Sequence, residues 1–96
     1  MARFRLTPAA RQRLKIIARD TQKAWGIAQR NKYLTELDKG FHDLAVRPDK
    51  GRARFEVTAD LFSFHLNSHV IFYHIKSDHI EIVDILHERM EPRLHL

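Results

Sequence analysis

The stretch that decides the fold is LFSFHLNSHVIFYHIKSDHIEIVDIL, residues 61–86. It contains three runs, LFSFHL, HVIFYHIK and HIEIVDIL, in which apolar and polar residues alternate with the period of a β-strand. The dipeptides Asn67–Ser68 and Ser77–Asp78 separate the runs, and short polar pairs of this kind are typical of tight hairpin turns. The stretch therefore predicts three consecutive antiparallel strands.

The two turns also predict a register, because side chains alternate between the two faces of a strand. Two-residue turns place Phe62 opposite Tyr73, and Tyr73 opposite Ile82. The face expected to carry helices contains Phe62, Phe64, Ile71, Tyr73, Ile75, Ile80 and Ile82, interrupted by Asp84. The other face contains Leu61, Ser63, His65, Val70, Phe72, His74, Glu81, Val83, Ile85 and His87. This second face mixes apolar and ionisable side chains, which indicates a binding partner.

The N-terminal half predicts a short strand and a helical hairpin. The segment RFRLT alternates like a strand, and Thr7 followed by Pro8 predicts the N-cap and first position of a helix. Gly26 predicts the end of this helix, and the second helix ends before Pro48. Because the link is short, the two helices must lie antiparallel. Their apolar stripes contain Ala10, Leu14, Ile17 and Ala24 in the first helix, and Ile27, Leu34, Leu37, Phe41 and Leu44 in the second. Trp25 is interpreted as a core residue.

These elements define an α+β fold in the order β-α-α-β-β-β, with an N-terminal strand and an antiparallel helical hairpin packed on a small antiparallel sheet. The segment RPDKGRAR is the clearest loop, and ARFEV predicts a further short strand. The length of 96 residues fits a single domain over residues 1–96, of which 88–96 form a C-terminal tail because Pro92 cannot continue a paired strand.

The composition excludes several classes of protein. The chain has no cysteine, which excludes a disulfide framework and a thiolate metal site. It has no run of apolar residues long enough for a membrane span, and the basic N-terminus lacks the apolar region of a signal peptide. Cytoplasmic residence is therefore expected.

The positive charge is concentrated in the N-terminal third. Residues 1–32 contain nine Lys/Arg and one acid, Asp20, whereas residues 33–96 contain eight Lys/Arg and eleven Asp/Glu. This asymmetry indicates a polyanionic partner, either nucleic acid or an acidic protein segment. A nucleic-acid-binding module is disfavoured because the sequence has no helix-turn-helix pattern. The remaining alternative is a solvated helix face that serves solubility alone.

Three histidines of the predicted sheet and the cations near the C-terminus are the side chains that could carry chemistry. His65, His74 and His87 share a predicted face, but no HxH, HExxH or cysteine pair defines a metal geometry, and no metal is predicted. His87 and Arg89 could act as a base and a phosphate clamp in RNA cleavage. The alternative is a strand end whose polar residues contact the tail or a partner.

HVIFY followed by ILHERMEPRLHL resembles the ParE branch of the RelE/ParE toxin superfamily, and LTPAA and PDKGRARFE extend the resemblance over nearly the whole chain. The run ILHERM, with its short tail ending in HL, is the most specific part. The resemblance implies the same fold and the role of the toxin half of a bacterial toxin–antitoxin module, with no catalytic site and no cofactor. ParE-type toxins are associated with inhibition of DNA gyrase, which they trap on cleaved DNA, whereas RelE-type toxins cut mRNA on the ribosome.

The residues favour the gyrase-directed branch. The ribonuclease branch has basic residues on its middle strands, where this chain has Leu61, Ser63 and Val70. Arg89 matches the arginine near the end of that branch, but His95 stands where its tyrosine is expected. One arginine cannot supply the electrostatic stabilisation that phosphoryl chemistry requires. The chain also departs from many ParE relatives, which have arginine in place of His74 and Asp84.

The resemblance implies two protein partners, DNA gyrase and a cognate antitoxin, and operator DNA only indirectly through the antitoxin. A homodimer or a higher toxin–antitoxin assembly is compatible with it. The gyrase-contact candidates are His87, Arg89, Met90, Pro92, Arg93, Leu94, His95 and Leu96. The antitoxin-contact candidates are Arg11, Arg13, Lys15, Arg19, His65, Phe72 and His74.

Overall fold

The computed structural model describes residues 2–96 and confirms the α+β fold. The helices are α1 (Pro8–Trp25), α2 (Ile27–Val46) and the one-turn α3 (Pro92–His95), with a 3-10 turn at Pro48–Lys50. The strands are β1 (Phe4–Leu6), β2 (Arg52–Ala53), β3 (Phe62–Leu66), β4 (His69–Ile75) and β5 (Ile80–His87).

The sheet has five strands in the order β1-β5-β4-β3-β2. β3, β4 and β5 are antiparallel neighbours, and the predicted pairs of Phe62 with Tyr73 and of Tyr73 with Ile82 are both present. β1 lies parallel to β5, with Phe4 opposite Ile80, so the complete sheet is mixed. The N-terminal strand thus occupies one edge, and the two-residue β2 occupies the other.

The helical hairpin packs on the face of the sheet that the alternation predicted. Its buried core contains Ala10, Ile17, Leu37, Phe41, Leu44, Ile71, Tyr73, Ile80, Ile82 and Ile85. The predicted apolar stripes are wrong at the hairpin tip, where Ala24 and Ile27 are exposed. Trp25 is 76% exposed and is not a core residue. Burial therefore ends before the last turn of α1.

The second face of the sheet is covered by the chain itself. Leu61, Phe72 and Leu86 form a small buried cluster. Four partly buried residues pack against it: Val57, Val70, Val83 and Met90. The predicted strand ARFEV ends at Ala53, and residues 54–60 form turns that contribute Val57 to this cover.

A β-bulge in β5 changes the face on which the last residues of that strand lie. Phe72 pairs with Asp84, whereas the next residue, Tyr73, pairs with Ile82, so Val83 is an extra residue in β5. The predicted alternation is therefore wrong beyond the bulge. Ile85 belongs to the helix-side core and Leu86 to the second cluster, the reverse of the expected arrangement.

Thr7 connects the start of α1 to this bulge. Its hydroxyl accepts a hydrogen bond from the Ala10 N–H (3.1 Å) and donates one to the Val83 carbonyl (2.6 Å). Its backbone N–H donates to the Ile82 carbonyl (3.1 Å). One residue thus caps α1, as predicted, and positions the helix on β5.

A buried ion pair makes a second connection between α1 and β5. Asp84 is 3% exposed, and its Oδ1 accepts hydrogen bonds from Arg13 Nε (3.1 Å) and from the Ile85 N–H (2.8 Å). A buried carboxylate without partners would carry a large desolvation cost. Arg13 and the Ile85 N–H supply those partners.

We expect Thr7→Ala to lower the free energy of unfolding by about 1–2 kcal/mol, because it removes both the helix cap and the bond to Val83. Thr7→Ser keeps the hydroxyl and is the matched control, with a much smaller expected loss. Urea denaturation followed by circular dichroism measures both. Equal losses in the two variants would show that the hydroxyl is not what stabilises this contact.

Candidate functional site

The hairpin tip, the β3–β4 turn and the end of β5 meet at one end of the molecule. They surround a cavity of about 300 Å³, which we call the hairpin-tip cavity. It is lined by Asp20, Thr21, Trp25, Gln29, Tyr33, Ser68, His69 and His87. The C-terminal tail leaves the sheet at this end, since β5 ends at His87.

Two histidines and a tyrosine form part of the cavity wall. The Tyr33 hydroxyl contacts His69 Nδ1, and the rings of His69 and His87 lie edge to face with their centroids 5.5 Å apart. Burial, assisted by the nearby His87, lowers the pKa of His69 from 6.5 to about 4. Burial also raises the pKa of Tyr33. At neutral pH, His69 is therefore uncharged.

The first residues of the tail are held by local hydrogen bonds. The Glu88 N–H donates to the Ser68 carbonyl (2.9 Å), and the Met90 N–H donates to the His87 carbonyl (2.9 Å). The Arg89 N–H donates to His87 Nδ1 (3.2 Å). Because the Met90 side chain also packs on the second cluster, the tail leaves the sheet in a defined direction.

The last residues form the exposed α3. The Glu91 side chain caps this helix by accepting from the Arg93 N–H (3.2 Å), and Arg93 Nη2 donates to the Glu56 carbonyl (3.3 Å). Leu94 is 79% exposed. The structure thus divides the gyrase-contact candidates: His87, Met90 and Pro92 are partly buried, whereas Arg89, Arg93, Leu94, His95 and Leu96 are exposed.

The antitoxin-contact candidates do not form one surface. Arg11, Lys15 and Arg19 are exposed on α1, but Arg13 is bound to the buried Asp84 and is not available to a partner. Phe72 is 1% exposed, so its side chain is not at the surface in this conformation. Its burial follows from the cover of the second face by residues 54–60 and Met90.

The two histidines of that candidate set lie apart from α1. His65 is exposed on β3, and its Nε2 lies 3.4 Å from a Glu88 carboxylate oxygen. His74 Nδ1 lies 2.8 Å from the Asp60 carbonyl. The sequence predicted that His87 shares their face. This prediction is wrong, because the bulge in β5 brings His87 beside His69.

An apolar groove that the sequence did not reveal lies between β1 and the two long helices. Its volume is about 470 Å³, and we call it the hairpin groove. It is lined by Phe4, Leu6, Leu14, Lys15, Ala18, Leu34, Leu37, Asp38 and Phe41. Leu14, Leu34 and Phe41 were assigned to the core from their spacing, and periodicity does not distinguish a filled core from an open groove.

The middle strands have no cation where the ribonuclease branch would require one. Leu61 is buried, Ser63 Oγ accepts from Arg54 Nη1 (3.2 Å), and Val70 packs on the second cluster. The guanidinium of Arg54 lies over the Phe72 ring, 5.5 Å from its centroid, and pairs with Glu56. This arginine is therefore engaged within the cover of the sheet.

Residues 2–96 contain neither a metal-binding cluster nor a membrane-spanning helix. This part of the chain brings together no group of three or more His, Cys, Asp or Glu residues that could hold a metal ion. No helix in the same range is long and apolar enough to cross a membrane.

A family model described as the ParE toxin of the type II toxin–antitoxin system parDE matches residues 4–92. The chain belongs to the ParE toxin family. The resemblance inferred from ILHERM and its tail is thereby confirmed. The match covers both long helices, all five strands and the start of the tail.

Curated relatives match along almost their whole length. Toxin ParE1 of Mycobacterium tuberculosis is 34% identical over 91 residues, which cover 94% of this chain and 93% of the relative. Toxin ParE1 of Caulobacter vibrioides is 30% identical over 96 residues, which cover 100% of this chain and 99% of the relative. Toxin ParE of Escherichia coli is 30% identical over 92 residues, which cover 95% and 89%.

Two solved structures share the ParE fold. A chain of the chromosomal ParDE system from P. aeruginosa superposes with a TM-score of 0.78 at 17% identity, covering 91% of this chain and 96% of that one. A chain of the RelBE2 toxin–antitoxin complex from Mycobacterium tuberculosis gives 0.65 at 21% identity, covering 91% and 98%. At such identities, the likeness establishes the fold.

We expect the stability of the protein to fall as the pH decreases from about 6.5 to about 4, by well under about 3 kcal/mol from this group because solvent screens the partly exposed ring. Over this range the unfolded chain protonates His69, whereas the folded chain keeps it neutral. The unfolded state therefore binds more protons, and unfolding becomes easier.

Chemical denaturation of His69→Gln at several pH values measures this contribution, because the variant should lose stability less steeply on acidification. His95→Gln removes a histidine from the exposed tail and is the matched control. Parallel stability curves for wild type and His69→Gln would contradict the assignment.

Proposed function

We propose that this ParE family member acts in the cytoplasm as a toxin that inhibits DNA gyrase by binding, and that a cognate antitoxin neutralises it. The observation that carries the proposal is the exposed α3, in which Leu94 is 79% exposed on a tail whose first residues are held by hydrogen bonds. The resemblance to ParE-type toxins supports gyrase as the target, and the exposed tail offers leucines and cations for contact with it.

The tail is suited to binding because much of its conformation is already ordered. His87 and Met90 hold its first turn, and Arg93 connects α3 to the Glu56 carbonyl. Ordering a flexible segment on binding would cost conformational entropy, and a preformed segment avoids part of that cost. Leu94 and the exposed cations can therefore contact a target without prior rearrangement.

The alternative function, ribosome-dependent mRNA cleavage, receives less support from the geometry. The sheet positions that would need cations carry Leu61, Ser63 and Val70, and residues 54–60 cover part of that face. Of the residues proposed for RNA cleavage, Arg89 is exposed just after the end of β5. A phosphate in the course of transfer requires several preorganised charges, which weighs against cleavage.

We further propose that an acidic, amphipathic antitoxin segment occupies the hairpin groove. The groove supplies apolar walls from both helices and β1, and Lys15 lies at its border. Arg11 and Arg19 lie one helical turn before and after Lys15, so the cations follow one side of α1. Apolar residues of the antitoxin would enter the groove while its carboxylates pair with these cations. Operator DNA would be reached only through the antitoxin.

The gyrase proposal predicts that Leu94→Ser raises the concentration needed to inhibit supercoiling by about tenfold, the effect of losing one well-buried contact at an interface. Stability should change by less than about 0.5 kcal/mol because Leu94 is exposed. Val46→Ser, at a position that is 65% exposed at the end of α2, is the matched control and should inhibit like wild type.

The measurements are supercoiling by purified gyrase and the yield of cleaved DNA complex, with added protein. Absence of both effects with the wild-type chain would overturn the gyrase proposal. Codon-positioned mRNA cuts in cells that vanish in Arg89→Ala would favour the ribonuclease alternative.

The antitoxin proposal predicts that Lys15→Glu weakens antitoxin binding by about tenfold at low salt, with a smaller difference at high salt because mobile ions screen exposed charges. Lys76→Glu, on the exposed β4–β5 turn, is the charge-matched control. The complex should persist at high salt because apolar burial is not screened. Titration calorimetry at two salt concentrations tests this, and complete dissociation at moderate salt would contradict it.

A further inference from the structure

The tip of the helical hairpin exposes two large apolar side chains. Trp25 is 76% exposed and Ile27 is 55% exposed, on either side of Gly26. Exposed apolar residues that occur together indicate a binding surface more strongly than isolated ones. Tryptophan is also the residue most enriched among those that dominate the energy of protein interfaces. The tip is therefore a candidate contact surface, separate from the core role predicted for Trp25.

The tip is held in one conformation by polar contacts. Gly26 reverses the chain at a φ of 93°, where a residue with a side chain would be strained. Its N–H donates to the Gln22 carbonyl (2.9 Å), and Arg30 Nη1 donates to Gln22 Oε1 (2.7 Å), which connects α2 to α1. Trp25 consequently projects from a fixed turn, so little conformational entropy would be lost on binding.

The hairpin-tip cavity makes the tip continuous with the start of the tail. Trp25 lies on one side of the cavity and His87, the last residue of β5, on another. Ser68 lines the same cavity and accepts the hydrogen bond from the Glu88 N–H. The exposed tryptophan and His87, the residue directly before the tail, therefore border one concave surface.

We propose that the target-binding surface of the tail continues across the hairpin-tip cavity to Trp25, which inserts against an apolar site on the same target protein. This inference rests on the proposed function, since the target is the one that the tail contacts. The antitoxin groove lies elsewhere: Trp25 is absent from its lining, which includes Phe4, Lys15 and Asp38.

The charges around the tip specify the chemistry of the matching site. Lys23 is exposed on the last turn of α1, and Arg30 bonds the neutral side chains of Gln22 and Asn31, which do not compensate its charge. The single acid of residues 1–32, Asp20, pairs with Arg19 (3.4 Å). The complementary surface is therefore an apolar pocket bordered by carboxylates.

The test compares Trp25→Ala and Trp25→Phe with Phe55→Ala, an aromatic control that is 64% exposed in the segment 54–60. We expect Trp25→Ala to raise the concentration that inhibits gyrase supercoiling by about tenfold or more, Trp25→Phe to raise it by a smaller factor, and Phe55→Ala to leave it unchanged. Antitoxin affinity and the midpoint of urea unfolding should stay at wild-type values in both Trp25 variants.

The outcomes separate this inference from the proposal on which it rests. If the wild-type chain inhibits gyrase and Trp25→Ala inhibits it equally well, the inference is overturned and the proposed function stands. Loss of antitoxin affinity without loss of gyrase inhibition would assign Trp25 to the antitoxin and also overturn the inference. A wild-type chain that leaves gyrase unaffected would overturn both.

Discussion

One extra residue in β5 determines how the C-terminal part of the chain meets the helices. The bulge at Val83 turns Ile85 toward the helical hairpin and brings His87 beside His69. The Thr7 hydroxyl bonds the Val83 carbonyl, and Arg13 pairs with the neighbouring Asp84. The start of α1 and the irregular part of β5 are thus parts of one contact. The core, the hairpin-tip cavity and the exit of the tail all depend on it.

The sequence predicts those parts of the fold that depend on residues close to one another along the chain. The alternating pattern and two tight turns correctly predicted that Phe62 pairs with Tyr73. Thr7 followed by Pro8 correctly predicted the start of α1. The bulge was not predictable in this way. Its partners, Thr7 and Arg13, lie more than seventy residues away along the chain, and an alternating pattern contains no signal for contacts at that distance.

The candidate site shows the same division. Pro92 correctly indicated that the chain leaves the sheet, since β5 ends at His87 and Leu94 beyond it is exposed. The burial of Phe72 and the pairing of Arg13 were not predictable from alternation, because they depend on residues 54–60 and on Asp84, which lie far away along the chain or across the fold. Trp25 was misplaced because its size suggested a core that ends one helical turn earlier.

The pairing of β1 with β5 joins strands that lie more than seventy residues apart along the chain. Before Ile80–His87 forms β5, β1 has no partner strand in the sheet. The hairpin groove is then incomplete, because Phe4 and Leu6 of β1 form part of its lining. Non-local pairing of this kind has a loop-closure entropy cost before its contacts are gained. The hairpin groove and the exit of the tail therefore form together, so on the proposed function a chain able to bind its target is also able to bind its antitoxin.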